Sequence, residues 1–193
     1  YTCIFEYAKG QRQVPQDRGS ALASLPDDSS AGTSESRARF LSFGSASVGD
    51  QLATMAVSES LEIINSKNAF RLAGRPSASN IHTDEEFARQ NIFGGTVNSG
   101  PATMSYVDQM LQLSFPLRAF YDGGRLLMRA VEPFRASDTV TFQGEVTGKR
   151  QTPPSVPPYE RGRQGGVVEC RVKGINQRGE LVSLSDATLV LPE

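Results

Sequence analysis

The sequence predicts an α+β domain, an antiparallel sheet packed around one long helix. Two observations carry that expectation. Apolar residues Met104, Val107, Met110, Leu111 and Leu113 mostly recur at three and four residues, the spacing of one helix face. The last third of the chain instead alternates apolar and polar residues, as half-buried strands do. Helices early and strands late imply an α+β fold with an antiparallel sheet.

In order along the chain, Tyr1 to Tyr7 is apolar enough for an added strand or a strap across a neighbouring subunit. Gln11 to Arg39 is rich in Ser, Gly, Asp, Arg and Pro and shows no periodicity, so residues 1–45 read as an extension and 46–193 as the folded domain. Gln51 to Ser58 reads as a strand, Ser66 to Ala73 as a short helix closed by Gly74, and Asp84 to Gln90 as another short helix. The central helix begins at Gly100 with Pro101 in its first turn and stops at Ser114-Phe115-Pro116. Arg125 to Val131, Thr139 to Lys149 and Gly166 to Ile175 follow as strands, the last turning through Asn176-Gln177-Arg178-Gly179 into Glu180 to Leu191. The four prolines of Gln151 to Tyr159 predict a stiff loop. Its Arg161 and Arg163, with Lys149 and Arg150, read either as a solvated basic loop or as a contact for phosphates.

Composition excludes several functions. A chain of 193 residues is long enough for one substantial core. A formal net charge of −1 with interspersed signs gives no footprint for nucleic acid or an anionic membrane, and no apolar run is long enough to span a bilayer. Cys3 and Cys170 lie far apart without metal or redox spacing, which favours free thiols in a reducing, cytoplasmic setting. One histidine argues against a zinc site, and no motif calls for a cofactor. Tyr1 in place of a methionine suggests a chain trimmed or processed at its start.

The segment that carries chemistry is Asn80-Ile81-His82-Thr83-Asp84-Glu85-Glu86-Phe87-Ala88-Arg89, followed by Gly94-Gly95-Thr96-Val97-Asn98-Ser99-Gly100-Pro101. His82 is the only histidine, the side chain that titrates near neutrality. Gly100 follows eighteen residues later at a helix start, where backbone N–H groups lack intrahelical partners and the helix dipole is positive. Taken singly, a lone histidine is more often a hydrogen-bonded loop or core residue, and Gly100-Pro101 more often a plain helix start.

Their order and distance resemble the MaoC-like, or type 2 enoyl-CoA hydratase, branch of the hot-dog superfamily. The resemblance runs from about Ser47 to Pro192 through Val48-Gly49-Asp50-Gln51-Leu52, Phe70-Arg71-Leu72-Ala73-Gly74 and Ser77-Ala78-Ser79-Asn80-Ile81-His82. Ile81, His82 and Ala88 match the family motif. Ser77 stands where the family has its catalytic aspartate, and Ser79 and Asn80 stand at its Asn and Pro positions. The resemblance implies a hot-dog fold and a hydratase or dehydratase acting on an enoyl or 3-hydroxyacyl thioester carried by CoA or a carrier protein. It also implies His82 as acid/base, Gly100 N–H as oxyanion donor, and a homodimer or a heterodimer with another hot-dog subunit, sheets joined edge to edge.

Ser77 cannot take a proton at neutral pH. Its presence keeps open an altered chemistry such as isomerisation or cyclisation, and a non-catalytic acyl-binding partner subunit. Asp108, two helical turns beyond Gly100, reads either as a replacement acid/base facing inward or as a solvated carboxylate beside Gln109 and Gln112. Asn80, Asn98 and Ser99 are the candidate substrate contacts.

Overall fold

A computed structural model of the chain describes residues 2–7, 40–72, 80–121, 123–151 and 165–192. The N-terminal strand β1 (Thr2–Tyr7) is followed by β2 (Met55–Ser58), helices α1 (Leu61–Leu72), α2 (Glu85–Arg89), α3 (Gly100–Gln112) and α4 (Arg118–Tyr121), then strands β3 (Arg125–Ala130), β4 (Thr139–Gln151), β5 (Gly165–Asn176) and β6 (Leu181–Pro192). One six-stranded sheet runs in the order β1-β3-β6-β5-β4-β2. The segments from Gln11 to Arg39 and from Pro153 to Gln164, and Ser77, lie outside the described residues.

The long strands follow the period-two pattern of the sequence. Val140, Phe142 and Val146 of β4, Val168, Cys170 and Val172 of β5, and Ala187, Leu189 and Leu191 of β6 are buried. They form one cluster with Met104, Val107, Met110 and Leu111 of α3, so the sheet's inner face wraps the central helix. Each fully buried Val, Leu, Met or Phe among them contributes on the order of 1.5–3 kcal/mol by leaving water. Burial also pushes the Cys170 thiol up to about 12, which leaves it protonated and unreactive.

Close approach explains Gly166. A Cβ there would stand 2.3 Å from the Phe43 ring and 2.4 Å from Arg150 O, so only glycine lets Phe43 close the end of the core. Turn geometry explains Gly179, whose φ of +79° lets the β5–β6 hairpin reverse. Asn176 stitches that turn, its Oδ1 accepting from Arg178 N and Glu180 N at 3.0 Å each.

Four elements depart from the sequence expectation. Helix α1 begins at Leu61 rather than Ser66, because Ser60 Oγ accepts from Ile63 N at 3.1 Å and caps an earlier start. The strand expected from Gln51 shortens to Met55–Ser58; Ala53 N donates to Ser114 Oγ at 2.8 Å instead of a neighbouring strand, and Gln51 keeps only an isolated bridge to Glu145. Helix α4 was not expected; Pro116 turns the chain after α3, and Ala119 and Phe120 bury on the core. The sheet is not wholly antiparallel, since β1 joins β3 in parallel, from Thr2 opposite Arg125 to Tyr7 opposite Ala130. No hairpin ties β1 to β3, so nothing constrains it to run antiparallel.

Candidate active site

The segment from Asn80 to Asn98 is laced together before it enters the helix. Asn80 Oδ1 accepts from His82 N at 2.9 Å and Thr83 N at 3.2 Å, a side-chain turn that presents the histidine. Asp84 then caps α2, accepting from Phe87 N at 3.0 Å. The chain returns through Asn91 to Val97, where Arg135 Nη1 holds Phe93 O at 2.5 Å. Val97 N donates to Ile81 O at 3.2 Å, and Asn98 N donates to Phe134 O at 2.6 Å.

His82 sits against this return. Its Nδ1 lies 2.8 Å from Val97 O. A carbonyl oxygen only accepts, so Nδ1 carries the hydrogen and Nε2 is the ring nitrogen left for another partner. The ring is half-buried, and its partner Val97 precedes Gly100 by three residues.

The start of α3 is open to an anionic group. Ser99 at the N-cap makes no side-chain cap bond, and no acidic residue stands in the first turn. The first intrahelical bond runs from Thr103 N to Ser99 O at 3.0 Å, which leaves Gly100 N and Ala102 N without helical acceptors; Pro101 has no N–H. Beside them Asn98 is 7 % exposed: its Oδ1 accepts from Ser99 N at 3.0 Å, and its Nδ2 finds no partner among the described residues.

Asn98 and Ser99 lead directly into the start of α3 at Gly100, and His82 is tied by its ring to Val97, three residues before that start. Asn80 sets the turn that holds His82. Asp108 stands apart: eight residues at about 1.5 Å rise place it roughly 12 Å further along the helix axis. There it is half-buried and accepts from Gln112 Nε2 at 3.1 Å. Lys149 belongs to the fold rather than to an open basic loop, its Nζ donating to Ala46 O at 2.8 Å and lying 4.6 Å from the Phe43 ring centroid.

Sequence reasoning missed a second polar group on the same helix. Tyr106 OH donates to Glu59 Oε1 at 2.6 Å, and Lys67 Nζ donates to both Glu59 Oε1 and Tyr106 OH. Lys67 also stands 4.7 Å above the Tyr106 ring. Glu59 is 3 % exposed, and its Oε2 finds no partner among the described residues. Burial first, then the hydrogen bond and charge of Glu59, hold the Tyr106 phenol well above its ordinary range, so it stays a donor. Tyr106 packs at 6.2 Å from the Phe134 ring, whose backbone oxygen holds Asn98. The available signal was Ser60 capping a helix just after a lone Glu59, with a tyrosine among the apolar positions of α3.

Among the described residues no group of three or more His, Cys, Asp or Glu is placed to hold a metal ion, and no helix is long and apolar enough to cross a membrane. No family model and no curated protein sequence matches the chain. Solved structures do. A MaoC-like dehydratase from Rhodospirillum rubrum is 27 % identical, with a TM-score of 0.59 over 79 % of this chain and 97 % of that one. An (R)-hydratase from A. caviae involved in PHA biosynthesis is 21 % identical, with a TM-score of 0.55 over 77 % of this chain and 98 % of that one. A double hot-dog protein from Mycobacterium tuberculosis is 18 % identical with a TM-score of 0.64, and the match covers 79 % of this chain but 44 % of that one. The chain has the hot-dog fold, and its structural neighbours include MaoC-like dehydratases and (R)-hydratases.

Proposed function

We propose that the chain is a lyase of the hydratase or dehydratase type, acting on an enoyl or 3-hydroxyacyl thioester of CoA or a carrier protein. The observation that supports this reading is the 2.8 Å contact of His82 Nδ1 with Val97 O, three residues before the α3 start: with the hydrogen on Nδ1, Nε2 is the nitrogen free to take a proton. In hydration, Nε2 accepts a proton from water as its oxygen adds to C3 of the enoyl group. Negative charge gathers on the thioester oxygen, where the Gly100 N–H, assisted by Ala102 N–H and the helix dipole, stabilises it. His82 then returns the proton to C2, and the product is the 3-hydroxyacyl thioester; dehydration is the reverse. Asn98 Nδ2 and Ser99 are the substrate contacts in this reading; Ser77 lies outside the described residues, and its part is probed by the Ser77→Asp variant.

The test is loss of conjugated thioester absorbance with crotonyl-CoA and longer enoyl-CoAs. Wild type should consume substrate, and His82→Ala should lose at least about a hundredfold in kcat. An inert wild type together with an active Ser77→Asp variant refutes the hydratase reading for the natural chain.

Ser77 favours a second reading, in which the chain binds acyl groups as the less active member of a hot-dog pair. The match to under half of a double hot-dog chain supports pairing of such units. Co-purification with a second hot-dog chain, and activity only in the complex, distinguishes it from a self-sufficient homodimer.

A further inference from the structure

The polar group formed by Glu59, Lys67 and Tyr106 has no part in the chemistry at His82, yet one side chain separates the two places: Phe134 packs on Tyr106 and holds Asn98 through its backbone oxygen. Its hydrogen bonding is incomplete in a specific way. Glu59 Oε1 takes Lys67 and Tyr106, while Oε2, on a side chain with no exposed surface, has no partner among the described residues. Lys67 uses two of its three ammonium hydrogens on Glu59 and Tyr106, and its side chain remains 28 % exposed. The group therefore offers one strong acceptor and one donor, side by side.

The surroundings narrow what can use them. Phe134, Phe142 and Val107 are buried around Tyr106, and Phe142 lies 6.2 Å from it. Across Phe142, β6 contributes Ser183, fully buried with an Oγ that has no partner among the described residues. Ser183 Oγ and the Phe142 ring both crowd Gly174, within 2.6 Å and 2.9 Å of where its Cβ would stand. Apolar walls exclude a strongly hydrated ion, and the carboxylate repels a phosphate or another carboxylate. A hydroxyl has the complementary chemistry, a hydrogen for Glu59 Oε2 and a lone pair for the third hydrogen of Lys67 Nζ.

We infer that Glu59, Lys67 and Tyr106 form a subsite for a hydroxyl group on the acyl portion of the ligand, so that the chain selects hydroxylated acyl thioesters over plain alkyl ones. This rests on the thioester reading above. A pocket of hydrocarbon alone discriminates weakly against an added hydroxyl, whereas a site built to bond one rejects the ligand that lacks it, because the polar groups are then left unmatched.

The experiment compares hexanoyl-CoA with the same thioester hydroxylated at its fourth, fifth or sixth carbon, by calorimetry on the full chain, with the 2-enoyl counterparts run as turnover substrates. Wild type should bind one hydroxylated isomer at least about tenfold tighter than hexanoyl-CoA. Glu59→Gln, which keeps the size but replaces the idle acceptor, should erase that preference while hexanoyl-CoA binding holds. If Glu59→Gln does not fold, Lys67→Met should reduce the preference instead. Equal binding of all four saturated thioesters by wild type overturns the subsite whatever the turnover, as does a preference that survives both variants. Binding selectivity without consumption of any enoyl substrate supports the subsite and leaves the lyase reading alone to fail; no binding of any thioester removes both.

Discussion

Glu59 and Asp138 are neighbouring buried carboxylates with opposite bookkeeping. Their backbones are joined, Glu59 N donating to Asp138 O at 2.9 Å and Ser137 N donating to Glu59 O at 2.8 Å. Asp138 has both oxygens occupied: Oδ1 accepts from Arg178 Nη1 at 2.7 Å and Gln177 Nε2 at 3.2 Å, and Oδ2 from Arg135 N at 2.9 Å. Glu59 has one oxygen doubly used and the other idle. The saturated carboxylate is a fastener that ties the β5–β6 turn to the loop before β4. The unsaturated one, held as rigidly, is the kind of group a ligand can complete.

Isosteric amides give the sharpest way to break that contrast. Asp138→Asn must place an NH2 against N–H donors on either side, so it should cost about 3 kcal/mol in a urea melt. Its pH dependence follows from the direction of the shift. Burial pushes the Asp138 carboxyl up, but Arg178, the Arg135 N–H and Gln177 outweigh it and hold the group below its ordinary 3.8. A carboxylate lowered on folding stabilises above its unfolded value, and that contribution disappears as pH falls through the lower folded value. The gap between wild type and Asp138→Asn should therefore be full near neutrality and close as pH drops below 3.8. A gap that widens in acid would refute the assignment.

Glu59→Gln should be milder, about 1 kcal/mol, because its NH2 takes the idle position while the remaining oxygen keeps Tyr106 and Lys67. Equal losses for the two amides would erase the distinction between fastener and site. The smallest effect belongs to Ser183→Ala, which removes a buried hydroxyl without a partner among the described residues; the melt should shift by less than about 0.5 kcal/mol, toward greater stability. A marked loss would mean that the hydroxyl is already bonded in solution.

Much of this arrangement is legible in the sequence where a periodic pattern or a capping residue repeats a physical rule. The apolar spacing from Met104 to Leu111, Pro101 after Gly100, and the alternation through β4 and β5 appear as expected, and the helix expected from Asp84 begins one residue later with Asp84 as its cap. Spacing alone singles out His82 and Gly100; what the fold adds is that the segment after His82 returns to it, Val97 N reaching back to Ile81 O. The Glu59, Lys67 and Tyr106 group is not legible, since three isolated residues carry no period and meet only when the fold brings Tyr106 of α3 to Glu59 and to Lys67 of α1. Asp108 was ambiguous for a related reason: a position on a helix does not reveal that Gln112, one turn on, engages the carboxylate.

The parallel strand at the sheet margin sets a rule for assembly. Thr2–Tyr7 lies along Arg125–Ala130, and a strand flank accepts only one neighbour at a time. A second protein docking its own sheet there must first evict that guest. Association through this flank is then a contest between a tethered peptide and an incoming one, decided by concentration, and a tag or cleavage near Thr2 tilts it.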